Sequence, residues 1–241
     1  MPNITFYPDA NPESTSVDGN VTRNIYPNGT TWTLCRGGVG TSAIDSGAFG
    51  PIIDILCNYS HTSWAYLIRS YFLFDTSALS ALGNINIIAV VLSIRGKSKQ
   101  DLPGIAPNIN IYAAVPASNT ALVAADFAIA QFGSTPFCDT PITYANWNVS
   151  DYNAFAFNAS GIAAINKTGI SKFGARNANY DVSGSDPALV TNEYSQLVGY
   201  FSEQGEGYKP KLVVTYELAA LTGPYPIIGG HHIINSLGDR R

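Results

Sequence analysis

The stretch that decides the fold spans residues 69–96. It reads Arg69-Ser-Tyr-Phe-Leu-Phe-Asp-Thr-Ser-Ala-Leu79, then a short connection of small and polar residues, then Ile85-Asn-Ile-Ile-Ala-Val-Val-Leu-Ser-Ile-Arg-Gly96. The first half contains three aromatic residues and the second is rich in Ile and Val, which favours strands over helices. We predict two strands here, with turn residues ending the second at Gly96 and again at 101–104.

Both predicted strands are apolar on their two faces. Successive side chains of an extended chain point to opposite sides. In the first strand, one face carries Tyr66, Ile68, Phe72 and Phe74, and the opposite face carries Leu67, Tyr71 and Leu73. In the second strand, one face carries Ile88, Val90, Leu92 and Ile94, and the opposite face carries Ile87, Ala89 and Val91. Such strands belong at the centre of a β-sandwich, with one face toward the other sheet and the second under a loop, a helix or a neighbouring subunit.

The rest of the chain repeats short strand patterns between turn signals. Further strands are predicted at 4–7, 20–25, 31–36, 52–58, 109–114, 142–144, 154–158, 170–177, 196–201 and 211–217. A helical pattern covers 119–132, and a helical turn is predicted at 162–167. This count predicts an all-β jelly-roll β-sandwich with one or two short helices and an extended C-terminal arm.

Length and composition narrow the function classes. The 241 residues contain no linker before residue 218, so we predict one domain over residues 1–218 and an arm over 219–241. Charged residues are 12% of the chain and the net charge is −4, which leaves no basic stripe for nucleic acid. No apolar run of membrane-spanning length and no secretory signal pattern occur, so we expect a soluble chain made in a cytoplasm.

Three cysteines, Cys35, Cys57 and Cys138, are an odd number without close pairing. This favours buried free thiols over a disulfide framework or a zinc site. A bridge between Cys35 and Cys57 is the alternative.

Signals for catalysis, metal or phosphate are weak. His61 has polar neighbours in Ser60, Ser63 and Asp54, but no nucleophile elbow holds a serine. Glu203 and Glu206 resemble a carboxylate pair but lie in a turn. Asp9, Asn11 and Asp18 do not fit the spacing of a calcium loop, and the glycine-rich segment 36–43 lacks the ending of a phosphate loop. We therefore predict no enzyme, no cofactor and no metal.

A polar aromatic segment predicts carbohydrate binding. Tyr144, Trp147 and Tyr152 alternate with amide side chains, and flat rings beside amides suit the face and hydroxyl groups of a sugar. Packing of Trp147 in the core is the alternative, because tryptophan is highly buried on average.

The C-terminal arm is rich in large apolar residues broken by Pro and Gly. We predict that it docks on a partner through Tyr225, Ile227, Ile228, His231, Ile233, Ile234 and Leu237. His231 and His232 are adjacent, so they do not form a metal site by themselves.

Residues 3–217 resemble the DNRLRE-type domain, a jelly roll similar to carbohydrate-binding modules. The resemblance rests on the stretches 4–10, 69–79, 87–94 and 209–216, and the segments 142–148 and 169–182 also resemble tailed-phage virion proteins. The resemblance implies a fold more than an activity.

Together these features predict a non-enzymatic virion structural protein of a tailed phage, such as a capsid decoration, head-fibre or tail component. We expect it to be made in the host cytoplasm, to lie on the virion surface and to form a homo-oligomer. Other virion proteins and surface polysaccharides are the expected partners, without nucleic acid or membrane. The alternative is a secreted or cell-surface carbohydrate-binding module.

Overall fold

A computed structural model describes residues 1–57, 63–190 and 192–219. Its strands are β1 (Asn3–Phe6), β2 (Asp18–Asn24), β3 (Ser42–Ile44), β4 (Phe49–Cys57), β5 (Trp64–Asp75), β6 (Ile85–Asp101), β7 (Asn108–Ala113), β8 (Ile142–Thr143), β9 (Tyr152–Ala156), β10 (Ile170–Asn177), β11 (Tyr194–Tyr200) and β12 (Lys211–Leu218). The α-helices are α1 (Trp32–Gly37) and α2 (Ala159–Ala163). Short 3-10 helices lie at Ser77–Leu82, Ala124–Phe127, Ile129–Gln131 and Ser202–Gln204, and one π-helical turn at Ala178–Val182.

The strands form a curled antiparallel sheet in the order β1-β12-β6-β11-β4-β5-β10-β7-β8. Strand β2 also pairs with β3 and β5, and β9 pairs with β6. The prediction of an all-β jelly-roll sandwich with few short helices is confirmed.

Strand β5 is the hub of the pairing. β2 pairs with its residues 66–72, β4 with 64–68 and β10 with 70–75. A strand has only two edges, so β4 and β10 share the edge opposite β2. Three strands thus pair directly with β5, and β3, β11 and β7 pair in turn with β2, β4 and β10.

Both faces of β5 are buried, as predicted. Phe72 and Phe74 lie in one hydrophobic cluster with Leu92 and Val214. Leu67, Tyr71 and Leu73 lie in a second cluster with Trp32 and Phe127. The predicted burial of Phe72, Phe74, Val90 and Leu92 on one face is confirmed.

Strand β6 differs from its prediction in two ways. Only the face with Val90, Leu92 and Ile94 is buried, whereas Ala89 on the other face is exposed. The strand also continues through Gly96, where the sequence had suggested an end. A side chain at Gly96 would lie 1.9 Å from the Asn148 carbonyl oxygen, so this glycine permits a close loop contact within a strand.

The predicted strand at 31–36 is wrong, because these residues form helix α1. The Thr31 side chain accepts a hydrogen bond from the Leu34 N–H and caps the helix. Trp32 and Cys35, three residues apart, both face the second cluster. Residues three apart lie on the same side of a helix, so one face of α1 is buried.

The predicted helix at 119–132 is also wrong and is replaced by two 3-10 turns. The Asp126 carboxylate accepts from the N–H groups of Ala117, at 2.8 Å, and Val123, at 2.9 Å. These bonds compete with a regular helix. The helical turn predicted at 162–167 lies earlier, in α2, where Asn158 caps the first turn.

A buried ionic cluster stabilises the second layer. Asp181 accepts from Arg69 at 2.6 and 2.8 Å and from Arg176 at 2.8 Å, and its carbonyl accepts from Arg36 at 2.7 Å. Burial alone would raise the pKa of Asp181, but the two arginines Arg69 and Arg176 outweigh burial and hold it well below its usual range. The cluster joins α1, β5, β10 and the π-helical turn.

We expect Phe72→Ala to lower the free energy of unfolding by about 3–5 kcal/mol, because it leaves a cavity in the inner core. Urea denaturation measures the loss. Leu34→Ala, at an exposed position, is the control and should change stability by less than about 0.5 kcal/mol. A similar small effect at Phe72 would contradict the core assignment.

We expect Asp181→Asn to lower the free energy of unfolding by about 3–5 kcal/mol, because it leaves two buried guanidinium groups without a counter-charge. The control is Asp151→Asn, which removes an exposed carboxylate 3.8 Å from Arg95. It should lower the free energy of unfolding by at most about 1 kcal/mol.

The pH dependence follows from the lowered pKa of Asp181. Its contribution is present above the ordinary Asp pKa of about 4 and is lost as the pH falls toward the folded value. The wild-type and Asp181→Asn unfolding free energies should therefore converge on acidification, and a constant difference from neutral to acidic pH would argue against the ionic role.

Candidate functional site

The structure places Trp147 in the core. Its residue is 2% exposed, and it packs in the same cluster as Phe72. Its ring is therefore enclosed by core side chains and offers no free face to a sugar. The assignment of Trp147 to carbohydrate contact is corrected to core packing, the alternative that the sequence had left open.

Tyr144 supports the turn that buries Trp147. The Lys99 ammonium donates to the carbonyl oxygens of Tyr144, Ala145 and Trp147 at 2.8, 3.0 and 3.1 Å. It also lies 5.0 Å from the centroid of the Tyr144 ring. Tyr144 and Tyr152 line no common pocket among the pockets of the described chain.

Tyr152 lines an open cleft. We call this the Tyr152 cleft and define it by Tyr7, Tyr152, Glu206, Gly207, Lys209 and Lys211. Its volume is about 540 Å³, which is within the range of small-ligand sites. Of the three residues predicted for carbohydrate binding, only Tyr152 reaches it.

Strand register explains the outward position of Tyr152. On β9 it alternates with Asn153, whose amide is buried and donates to the Asn148 and Ile94 carbonyls at 2.8 and 3.3 Å. Tyr152 lies directly opposite Arg95. The Tyr152 hydroxyl donates to the Lys209 carbonyl at 3.0 Å, which connects β9 to the segment before β12.

Small side chains open space beside the ring. Lys211 lies opposite Ser93 on β6, and Ser93 lies opposite Ala154 on β9. The Lys211 side chain therefore extends across Ser93 and Ala154, and its ammonium lies 4.1 Å from the centroid of the Tyr152 ring. The geometry is that of a cation–π contact.

Positive charge dominates the cleft although the chain is acidic. The Arg95 guanidinium lies 4.7 Å from the Tyr208 ring and 5.8 Å from the Tyr152 ring. Within the described ranges, no carboxylate lies within 4.0 Å of the Lys209 or Lys211 ammonium. Burial raises the pKa of Tyr152, partly offset by Arg95, so its hydroxyl stays protonated at neutral pH.

Glu203 and Glu206 do not face one pocket. Glu206 lines the Tyr152 cleft, whereas Glu203 accepts from the Asn11 N–H at 3.2 Å and from the Ser202 hydroxyl at 3.3 Å. Burial raises the pKa of Glu203. The carboxylates are thus held in separate surroundings.

The oxygens near Asp9 are used by the chain itself. Asp9 accepts from the N–H groups of Ser14 and Thr15 at 3.0 and 2.6 Å. Asp18 is buried and accepts from the Ser202 N–H at 3.0 Å. In the part of the chain that the structure covers, no cluster of three or more acidic, Cys or His residues is arranged to hold a metal ion.

All three cysteines are buried and outside any disulfide bond, as predicted. Burial raises the pKa of Cys35 and of Cys138 to about 12, which disfavours the reactive thiolate. In the glycine-rich segment, a side chain at Gly40 would lie 2.0 Å from the Ala124 carbonyl oxygen. That glycine serves close packing against the 3-10 turn.

The predicted partner-binding residues of the arm lie outside the described residues: Tyr225, Ile227, Ile228, His231, Ile233, Ile234 and Leu237. His61, which the sequence analysis considered for catalysis but did not assign, also lies outside them. Among the helices that are described, none has the length and apolar content to cross a membrane.

No protein-family model matches the sequence, and no curated protein matches it at a significant level. The candidate site therefore rests on its own geometry.

Sequence reasoning missed Tyr7, Lys209 and Lys211, and it considered Glu206 only as half of a carboxylate pair. One signal for the lysines was present, since Lys209-Pro-Lys211 places two cations at the start of the last strand. Nothing local indicates that this strand end meets Tyr7 and Tyr152.

Proposed function

We propose that this protein is a non-enzymatic structural component of a tailed-phage virion whose Tyr152 cleft binds acidic glycans of the host surface. The observation that supports the glycan part is the meeting of tyrosine rings in an open cleft with two lysines that have no carboxylate within 4.0 Å among the described residues. The phage setting rests on the resemblance of the segments 142–148 and 169–182 to tailed-phage virion proteins.

The chemistry of the cleft favours a sugar that carries an anionic group. Tyr7 is 49% exposed and offers a ring face on which the apolar side of a sugar ring stacks. The Lys209 and Lys211 ammonium groups then donate charge-assisted hydrogen bonds to a carboxylate or sulfate. Glu206, at the same cleft, accepts from sugar hydroxyls and disfavours anions placed on its side.

The same cleft suits a secreted or cell-surface carbohydrate-binding module, which is the second candidate. The two candidates differ in the role of the C-terminal arm. A virion component needs the arm for attachment, whereas a free-standing module binds glycan without it.

We expect Lys211→Ala to weaken binding of an acidic polysaccharide such as polygalacturonate about tenfold, because an ammonium that contacts the anion is lost. Lys172→Ala removes an equally half-buried strand lysine on β10, outside the cleft, and should leave binding unchanged. Biolayer interferometry at low and high salt measures both.

Tyr7→Ala should weaken binding while the melting temperature holds, because the Tyr7 ring is largely exposed. Neutral dextran should bind weakly at every salt concentration. Equal binding of dextran and polygalacturonate, or equal effects of the two lysine variants, would refute an anion-selective cleft.

We expect a chain that ends at Ala219 to stay folded but to lose assembly. Strand β12 ends at Leu218, and the Ala219 N–H bonds the Asn84 carbonyl at 2.9 Å, so this end keeps the last pairing of the sheet. Thermal melting and analytical ultracentrifugation measure folding and oligomeric state.

A chain that lacks only Arg240 and Arg241 is the matched control and should assemble nearly as well as the full chain. Unchanged assembly after truncation at Ala219 would remove the support for an attachment arm. If the truncated, monomeric chain still binds glycan, this result would support glycan binding in the Tyr152 cleft independently of the arm.

A further inference from the structure

A second pocket lies on the outward face of β4 and its neighbours. We call it the Asp54 pocket, lined by Asn24, Tyr26, Asp54, Leu56, Tyr66, Asn192, Tyr194 and Gln196. Its volume is about 450 Å³, and it shares no lining residue with the Tyr152 cleft. The two sites are therefore independent in their side chains.

Strand register builds this pocket. Leu56 on β4 lies opposite Tyr66 on β5 and opposite Tyr194 on β11, which puts the three side chains on one face. Two residues earlier on the same face of β4, Asp54 lies opposite Gln196. Asp54 therefore sits on the floor of a groove walled by tyrosines.

Asp54 is a buried acid without a full set of partners. The residue is 8% exposed, and its Oδ1 atom is buried and accepts no hydrogen bond in the described chain. The other buried acids are satisfied: Asp181 by arginines, Asp126 by backbone N–H groups, and Asp18 by Ser202. An unsatisfied buried carboxyl group is costly and marks a candidate ligand site.

Among the described residues, the lining of the Asp54 pocket contains no balancing cation. None of the lining residues that the structure describes is Lys, Arg or His. Burial raises the pKa of Asp54 to about 8, opposed by a hydrogen bond from the Ile55 backbone. Burial and the nearby Asp54 charge raise the pKa of Tyr66 to about 12, so its hydroxyl stays neutral.

The walls of the pocket provide aromatic rings and amide oxygens, which bind a cation in addition to the counter-charge of Asp54. Tyr26, Tyr66 and Tyr194 contribute aromatic rings, whose faces attract organic cations. The Tyr194 hydroxyl donates to the Gln100 amide oxygen, which fixes the position of that ring. The side-chain amides of Asn24, Asn192 and Gln196 carry oxygens that accept N–H groups.

We propose that the Asp54 pocket binds the ammonium group of an organic amine, with Asp54 as counter-ion and the tyrosine rings as walls. An amino sugar and a lysine side chain share this chemistry. A neutral polyol satisfies the pocket less well, because it leaves the buried carboxyl group without a positive charge.

Binding is coupled to loss of a proton from Asp54. Besides Asp54, the titratable groups among the described lining residues are Tyr66 from β5, Tyr194 from β11 and Tyr26 after β2. Free Asp54 is mostly protonated below about pH 8, and a bound ammonium ionises it. Amine affinity should therefore rise about tenfold per pH unit between about pH 6 and 7 and level off above about pH 8. A neutral polyol that accepts from protonated Asp54 should show the opposite trend.

Isothermal titration calorimetry of the full chain tests the proposal. The first probe is Nα-acetyl-lysine amide, whose single ammonium keeps its charge across this pH range. Glucosamine and glucose, compared at about pH 6, form a matched charged and neutral pair. We expect the lysine derivative to bind with the predicted pH dependence and glucosamine to bind at least about tenfold more tightly than glucose.

Three variants define the groups involved. Asp54→Asn should weaken binding of the lysine derivative at least about tenfold at neutral pH and abolish the pH dependence. Tyr66→Phe keeps the ring and should bind within about twofold of wild type, whereas Tyr66→Leu should bind more weakly.

Melting curves show whether the variants are folded, and they also report how the protonation of Asp54 affects stability in the absence of a ligand. Because folding raises the pKa of Asp54, its stabilising contribution is complete below the ordinary Asp pKa of about 4 and declines as the pH rises toward about 8. The wild-type melting temperature should therefore fall relative to that of Asp54→Asn as the pH rises.

Three results would overturn the proposal: unchanged amine binding by folded Asp54→Asn, equal affinities for glucose and glucosamine, or no binding of either amine at about 10 mM. None of these results bears on the proposal that the Tyr152 cleft binds glycans. Conversely, Lys211→Ala should leave amine binding unchanged.

Discussion

Strand β5 must be covered on both faces, and the rest of the structure depends on this constraint. Phe72 and Tyr71 are adjacent in sequence and fully buried in opposite clusters. A second sheet covers only one face, so the chain needs a separate cover for the other. Helix α1 and the short turns around Phe127 provide it.

This second cover is made of short irregular segments, so polar groups hold it in place. Asp126 accepts from two N–H groups in its own loop, and the Tyr71 hydroxyl donates to the Asp126 carbonyl at 2.7 Å. Arg69 connects β5 to Asp181 and stacks 4.3 Å from the Phe127 ring. The cover is therefore fixed by directional bonds in addition to apolar contact.

The two candidate sites lie where outward side chains of neighbouring strands meet around tyrosines, and their charges are opposite. Among the described residues, the lysines beside Tyr152 have no carboxylate within 4.0 Å, and the buried Asp54 between Tyr66 and Tyr194 has no cation in its pocket lining. The same aromatic walls thus suit different ligands, because a ring stacks on a sugar as readily as it faces a cation. Charge decides between the ligands.

The sequence by itself determined the all-β class, the two-sided burial of β5 and the burial of the three cysteines, because alternation and composition are local properties of the chain. Short apolar patterns remained ambiguous: residues 31–36 form a helix once Thr31 caps them, and Trp147 is buried although its neighbours are polar. Only the tertiary structure decided the ionic cluster and both pockets. Arg69 and Asp181 are 112 residues apart, and Asn24 meets Gln196 only through four paired strands. Contacts of this kind depend on strand register, which local patterns do not specify across a whole sheet.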